Sequence, residues 1–186
     1  MRYLEVSVQQ APDERNAMHQ FCVDHEDYDA ARLLHREAYP PDAHAALFHV
    51  EGPTEPYASV LSERDGLRDY AVSPCPDETF YCYVHEEMAT ADRHFASAFE
   101  QPGLLVLPPV AYRPDGSVRV TAVGPAGAVQ AAVEDVPESM GVDVLAVGGY
   151  DASHVDARLE VTARQFEAVE AAVETGYYRG PREATI

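Results

Sequence analysis

The sequence predicts an α+β fold in which two tandem ferredoxin-like (βαββαβ) subdomains precede a C-terminal helix. Strands are indicated by apolar residues that alternate with polar ones, as in the segment from Leu4 to Val8. Between these strands lie segments whose apolar residues recur at helical spacing. The same order of strands and helices occurs twice along the chain. The two copies share no obvious sequence identity, so a single mixed α/β domain is the alternative.

The first copy is predicted over residues 1–76. The turn Pro40-Pro41-Asp42 joins its two central strands, and Asp65-Gly66 ends its second helix. Its predicted elements are, in order, strand 2–8, helix 12–22, strands 29–37 and 43–51, helix 54–64 and strand 67–72.

The second copy is predicted over residues 77–152, after a linker at Pro74-Cys75-Pro76. Its first strand, 79–85, presents Phe80, Cys82 and Val84 on an inner face. The remaining predicted elements are helix 90–99, the apolar strand LLVLPPVAY, the strand SVRVTAV, helix 126–136 and strand 142–150.

The charge of the chain is strongly negative. There are 32 acidic residues against 13 basic ones, a net charge of −19, and all 13 basic residues are arginine. A lysine-free acidic surface is typical of a protein that works in molar salt, where screening suppresses self-repulsion. The same balance excludes a basic footprint for nucleic acid on this chain.

Several classes of protein are disfavoured by missing motifs. No apolar run is long enough to span a membrane and no signal peptide is evident, so we expect a cytoplasmic protein without membrane contact. The three cysteines are too few for a disulfide framework. The sequence has no nucleophile elbow, phosphate loop or metalloprotease motif, so we expect no enzyme and no cofactor.

The segment 153–186 carries the most specific pattern in the chain. Thr162 is a good helix N-cap, and Gly176 stands where a C-terminal glycine cap belongs. Its sequence follows the pattern LTxRQxEAxxAAxxxGYYxxPREAT. The matching residues are Thr162, Arg164, Gln165, Glu167, Ala168, Ala171, Gly176, Tyr177, Tyr178, Pro181, Arg182, Glu183, Ala184 and Thr185. This segment resembles the start of the C-terminal helix-turn-helix of the bacterio-opsin activator-like transcription regulators of halophilic archaea.

The resemblance implies a function for the whole chain. It would be the sensor and dimerisation region of a DNA-binding regulator, ending at Ile186 before the recognition helix. Arg164, Arg179 and Arg182 would contact backbone phosphates in the full-length protein only. The alternative is a stand-alone module that binds a small molecule or senses metal or redox state.

A small-molecule effector has one candidate site in the sequence. Gly124, Ala126 and Gly127 form a strand-to-helix turn whose backbone N–H groups suit a carboxylate or phosphate, and Arg113 and Arg119 flank the preceding turn. An ordinary tight turn, with both arginines paired to surface acids, is the competing interpretation.

Metal or redox sensing has a weaker candidate. His19, Cys22 and His25 have ligand-like spacing, and Cys82 and His85 follow later in the chain. No Cys-x-x-Cys pair occurs, so an exposed histidine and a buried cysteine are the competing interpretation. Three further histidines on paired strands could cluster as a pH sensor: His35, His44 and His49.

The outer face of strand 79–85 indicates an association surface. Tyr81 and Tyr83 alternate with the inner residues, and amphipathic tyrosines are enriched at protein interfaces. This face would cover either the other subdomain or a dimer partner, and we expect a homodimer. The acidic pair Glu86-Glu87 is interpreted as salt-adapted surface.

Overall fold

The computed structural model describes residues 1–39, 42–99, 102–134 and 141–150. Within this part, eight strands and four α-helices follow one another in the predicted order. The first half contains β1 (Arg2–Gln9), α1 (Ala17–Asp24), β2 (Ala30–Tyr39), β3 (Ala43–Glu51), α2 (Thr54–Ser62) and β4 (Leu67–Cys75). The second half contains β5 (Thr79–Glu87), α3 (Thr90–Phe99), β6 (Leu105–Tyr112), β7 (Ser117–Gly124), α4 (Ala126–Glu134) and β8 (Gly141–Gly149).

Helix α1 begins later than the sequence pattern predicts. Pro12–Glu14 form a separate 3₁₀ turn, and the α-helix starts at Ala17. The reason is the N-cap at Asn16, whose side-chain oxygen accepts a hydrogen bond from the Met18 N–H at 2.9 Å. The predicted start at Pro12 is therefore wrong.

All eight described strands form one antiparallel sheet. Its order is β4-β5-β3-β2-β6-β7-β1-β8, and every neighbouring pair runs antiparallel. The predicted combination of α-helices with a β-sheet is thus confirmed. The predicted pair of tandem ferredoxin-like subdomains is not, because the sheet is continuous across the β2–β6 pair.

The two halves of the sheet exchange their first strands. Strand β1 pairs with β7 and β8, whereas β5 pairs with β3 and β4. Each half, β4-β5-β3-β2 or β8-β1-β7-β6, has the strand order of a split βαβ unit, with one strand taken from the other half of the chain.

The cores follow this exchange rather than a boundary at residue 76. One core joins β1 to β6, β7, α3 and α4, and its fully buried residues include Leu4, Val8 and Val118. The other joins β5 to β2, β3, α1 and α2, and includes Val50 and Phe80. Each core thus needs a strand that lies remote in sequence from most of its other elements.

The segment predicted as a linker is part of a hairpin. Pro74 and Cys75 end β4 and pair with Phe80 and Thr79 of β5. Asp77 and Glu78 both have positive φ, as a tight turn requires. The predicted segment 153–186, with its C-terminal helix, lies outside the described residues.

Candidate functional site

The centre of the sheet opens where β2 and β6 diverge. These strands pair only from Ala31 to Leu33, opposite Tyr112 to Val110. Beyond that point Pro108 and Pro109 have no N–H to donate, and the pairing of β2 with β3 shifts register between Leu33 and His35. Strands β2 and β6, which join the halves of the sheet, are therefore not paired with one another along most of their length.

A cavity of about 450 Å³ lies over this opening, between the helices and the sheet. Its size falls within the roughly 300–1,000 Å³ typical of small-molecule sites. Side chains from α1, α2 and α3 meet over it, so it draws on both halves of the sheet. Its walls are mainly apolar and include Leu33, Ala46, Phe48, Phe95, Ala96, Phe99, Leu104 and Val110.

A buried ionic cluster, formed by Arg64, Glu86 and His44, lines one end of the cavity. One oxygen of Glu86 lies 2.9 Å from Nη1 of Arg64, and the other lies 3.5 Å from Nε2 of His44. The Glu86 side chain is only 4% exposed. Such a carboxylate is tolerated inside a protein only when partners compensate its lost hydration.

The other end of the cavity is formed by His19 and Tyr112. The two rings pack edge to face with centroids 5.2 Å apart. Burial lowers the pKa of His19 from 6.5, and a hydrogen bond to the Arg113 carbonyl opposes this shift. The imidazole is therefore neutral at neutral pH.

The tautomer of His19 follows from its partner. A carbonyl only accepts, so His19 Nε2 carries the proton and donates it to the Arg113 oxygen at 2.9 Å. Nδ1 is left as an acceptor. It is buried, and no hydrogen-bond partner for it occurs among the described residues.

The structure does not assemble the predicted metal ligands. No group of three or more His, Cys, Asp or Glu side chains in the described ranges could hold a metal ion. His25 instead donates from Nδ1 to the Phe21 carbonyl at 2.8 Å and so caps the end of α1. His85 lies beside the ring of Tyr39, with centroids 5.9 Å apart.

The cysteines of that predicted set are core residues. Cys22 and Cys82 are buried in the same apolar core, and burial raises the pKa of each thiol to about 12. A thiol of that pKa carries almost no thiolate, the form that binds metal and reacts with oxidants. Their burial agrees with the competing interpretation of the sequence, in which the cysteine is a buried core residue rather than a ligand.

The predicted effector residues lie at two separate places. Arg113 precedes β7, whereas Gly124 ends that strand, roughly 23 Å away for seven residues of extended chain. A side chain at Gly124 would meet the Gly103 carbonyl at 2.7 Å, so this glycine is required by close packing of two backbone segments. Ala126 and Gly127 are exposed beyond it.

Arg119 is exposed on β7, and its Nε lies 3.8 Å from the Glu5 carboxylate. This is a surface pair, as the competing interpretation expected. The arginines predicted to contact DNA, namely Arg164, Arg179 and Arg182, lie outside the described residues.

The three histidines considered as a pH sensor do not cluster. His44 faces the cavity, whereas His49 lies on the opposite face of β3, beside Tyr81. His35 is exposed at the register shift of β2. Because side chains alternate along a strand, His44 and His49 cannot share a face.

Sequence reasoning missed the residues that give the cavity its charge. Glu86 was expected at the surface, but it belongs to the alternating inner series with Cys82 and Val84. The two-residue period of this strand was the signal in the sequence that indicated the burial of Glu86. Arg36 and Arg64 carry no local signal, because their positions over the cavity depend on a register shift and on helix packing.

Comparison with known proteins identifies the family. Residues 16–150 match the family model described as HVO_0513_N, N-terminal, which covers more than half of the chain. The chain belongs to the HVO_0513_N, N-terminal family. That name is a halophilic archaeal one and fits an archaeal origin. The matched range includes every described residue that lines the cavity.

The other comparisons add little to the HVO_0513_N assignment. A search of the curated proteins finds no match. Across the part of the chain that the structure describes, no helix is both long enough and apolar enough to cross a membrane.

Proposed function

We propose that this chain is the ligand-sensing and dimerisation region of an archaeal DNA-binding transcription regulator. The cavity is the observation that carries this proposal. It lies at the seam between the two halves of the sheet, where a bound molecule would contact elements of both cores. Occupancy of such a site can change how the halves pack, which is what a sensor requires.

The DNA-binding part of the proposal rests on the resemblance of residues 153–186 to a helix-turn-helix. The family description supports it in one respect, because an N-terminal domain precedes another part of its protein. The body itself carries too much negative charge to attract DNA.

Dimerisation is proposed through the sheet face opposite the helices. Tyr81 and Tyr83 are 43% and 38% exposed there, and Leu47 beside them is 37% exposed. Tyr81 also packs against His49, with ring centroids 5.1 Å apart. A contiguous aromatic surface of this kind is typical of an interface.

A thermal-stability screen of small organic acids, amides and amines in molar potassium chloride tests the sensing function. A compound present at about 100 times its dissociation constant should stabilise the fold by about 2.7 kcal/mol, or about 5–10 °C in Tm. Ala46→Leu projects three extra carbons into the cavity and should abolish the shift. Ala45→Leu makes the same change on the neighbouring, outward residue and should preserve it.

The outcomes separate a cavity ligand from surface binding. Shifts that persist in Ala46→Leu, or the absence of any shift, would contradict the sensing function. DNA mobility-shift assays address the rival hypothesis of a stand-alone small-molecule module. We expect the 186-residue chain to give no sequence-specific shift, and a chain continued through a recognition helix to give one that the ligand alters.

A further inference from the structure

The cavity interrupts the apolar interior of the protein at the seam between β2 and β6. Leu33 and Tyr112 pack against both hydrophobic cores, yet each of them is only partly buried. Phe48 packs against one core and Phe95 against the other, and both are likewise only partly buried. Apolar side chains around an open space lack part of their hydrophobic burial and of their dispersion contacts. An apolar molecule in the cavity would supply both.

Aromatic rings reach this space from both sides of the seam. Phe48 lies beside Tyr112 with ring centroids 6.2 Å apart, and Tyr112 in turn meets His19 edge to face. Phe95 and Phe99 of α3 form a second pair, with centroids 5.4 Å apart. All five rings line the cavity. Ring pairs stabilise one another beyond the effect of the area they bury, so these walls favour an aromatic ligand.

The charged side chains at the cavity already interact within the protein. Arg64 and His44 lie 2.9 and 3.5 Å from the two oxygens of the Glu86 carboxylate. Arg36, which also lines the cavity, interacts with another group of the protein as well. The described part of the lining therefore presents its arginines and its glutamate in an engaged form.

The other two histidines of the lining add no buried charge. His19 is 3% exposed, and burial lowers its pKa, so the ring is neutral at neutral pH. His35 is exposed, and solvent hydrates any charge that it carries. An ionised ligand would thus lose its hydration and displace existing interactions to obtain a counter-ion, which is an unfavourable exchange.

We propose that the cavity binds an uncharged aromatic molecule. Its ring lies among Phe48, Phe95 and Tyr112, where it completes the burial of these side chains and joins the two cores. The ionic cluster borders the site and keeps its own partners. This assignment rests on the proposed sensing function and specifies the ligand class of the same cavity.

Isothermal titration of the full 186-residue chain in molar potassium chloride tests the charge of the ligand. The probes are 3-phenylpropan-1-ol, 3-phenylpropionate and 3-phenylpropylammonium, which share an apolar body and differ in charge. We expect the alcohol to bind at least about tenfold more tightly than either ion, because the ions lose hydration without a matching gain. An ion that binds as tightly as the alcohol would overturn the assignment.

A ring-saturated probe, 3-cyclohexylpropan-1-ol, tests the aromatic contact. Phe48→Leu should lower the affinity ratio of the phenyl alcohol to the cyclohexyl alcohol by about threefold, because one ring pair is lost. Phe21→Leu is the matched control, since Phe21 is buried in the same core as its neighbours and does not line the cavity. A ratio that is unchanged in Phe48→Leu, or lowered equally in Phe21→Leu, would overturn the aromatic contact.

Glu86→Gln tests whether the engaged charges exclude ions. The variant leaves Arg64 without its carboxylate, so the affinity of 3-phenylpropionate relative to the alcohol should rise by about tenfold. Glu87→Gln is the matched control, because the Glu87 side chain is 60% exposed. An unchanged ratio in Glu86→Gln would overturn this step. If circular dichroism shows that Glu86→Gln is unfolded, the comparison of the alcohol with the ions in the wild-type chain decides the question.

The outcomes distinguish the ligand class from the sensing function. If an ion binds as tightly as the alcohol, and Ala46→Leu abolishes that binding, the sensing function stands and the uncharged assignment falls. If no probe binds in a manner sensitive to Ala46→Leu, the uncharged assignment falls, and the thermal screen decides the sensing function separately.

Discussion

Glu86 and Glu87 are adjacent in sequence but lie in opposite environments. The Glu86 side chain is 4% exposed and meets Arg64 and His44, whereas the Glu87 side chain is 60% exposed and pairs with Arg68 at 3.1 Å. The difference follows from the alternation of β5, which directs even-numbered residues toward the helices. Composition alone would assign both glutamates to the acidic surface. Only the two-residue period of the strand distinguishes the buried one from the exposed one.

Replacement of these two glutamates measures the importance of the ionic cluster. Glu86→Gln removes the counter-ion of Arg64 in a buried site, and we expect the free energy of unfolding to fall by about 3 kcal/mol. Glu87→Gln should lower it by less than about 1 kcal/mol, because an exposed pair contributes little. Urea denaturation followed by circular dichroism in molar potassium chloride measures both. Equal losses would show that Glu86 is not buried against its partners.

At the scale of elements, β1 and β5 show where local patterns stop being informative. Both have the predicted bounds to within two residues, and the predicted inner face of β5, formed by Phe80, Cys82 and Val84, is buried. Their partners were not predictable, because a period of two reports which side chains are buried and not which strand lies alongside. The exchange depends on contacts between residues far apart in the chain.

A crosslink tests the exchange of strands. Ser7 of β1 lies opposite Arg119 of β7, and directly opposed residues in an antiparallel pair are within disulfide reach. We expect Ser7→Cys with Arg119→Cys to form a disulfide on mild oxidation, as detected by peptide mass mapping. Ser7→Cys with Ala71→Cys is the control, because β1 would lie beside β4 only in an unexchanged βαββαβ unit. A bridge from position 7 to position 71 would contradict the exchange.

The seam between β2 and β6 is the other element-scale feature. The sequence shows Pro108-Pro109 inside an apolar strand, which signals weak pairing. It does not show that β6 lies beside β2, or that the register shift of β2 falls opposite the prolines. The cavity exists because these two local irregularities meet in the folded sheet.

At the scale of the whole molecule, the strongly negative net charge is the most prominent property. A net charge of −19 without any lysine implies strong self-repulsion at low ionic strength. The Debye length falls from about 10 Å at 0.1 M salt to about 3 Å at 1 M, so added salt screens the surface while the buried ionic cluster is screened much less.

The salt dependence of thermal unfolding tests this account. We expect Tm to rise by about 4–8 °C, equivalent to about 2 kcal/mol, between dilute buffer and molar potassium chloride. Sucrose at matched osmolality is the control, because it strengthens apolar burial without screening charge. An equal rise in sucrose, or a fall in salt, would argue that surface repulsion does not limit stability.

The sequence by itself determined the order of the elements, the inner faces of the strands and the acidic surface, because each of these follows from local periodicity or composition. Tertiary structure alone decided the exchange of β1 and β5, the choice of Arg64 as the partner of Glu86 and the opening of a cavity at the seam. These depend on which remote segments become neighbours. The physical reason is that side-chain alternation specifies a face, whereas strand pairing is chosen by the packing of the whole sheet against its helices.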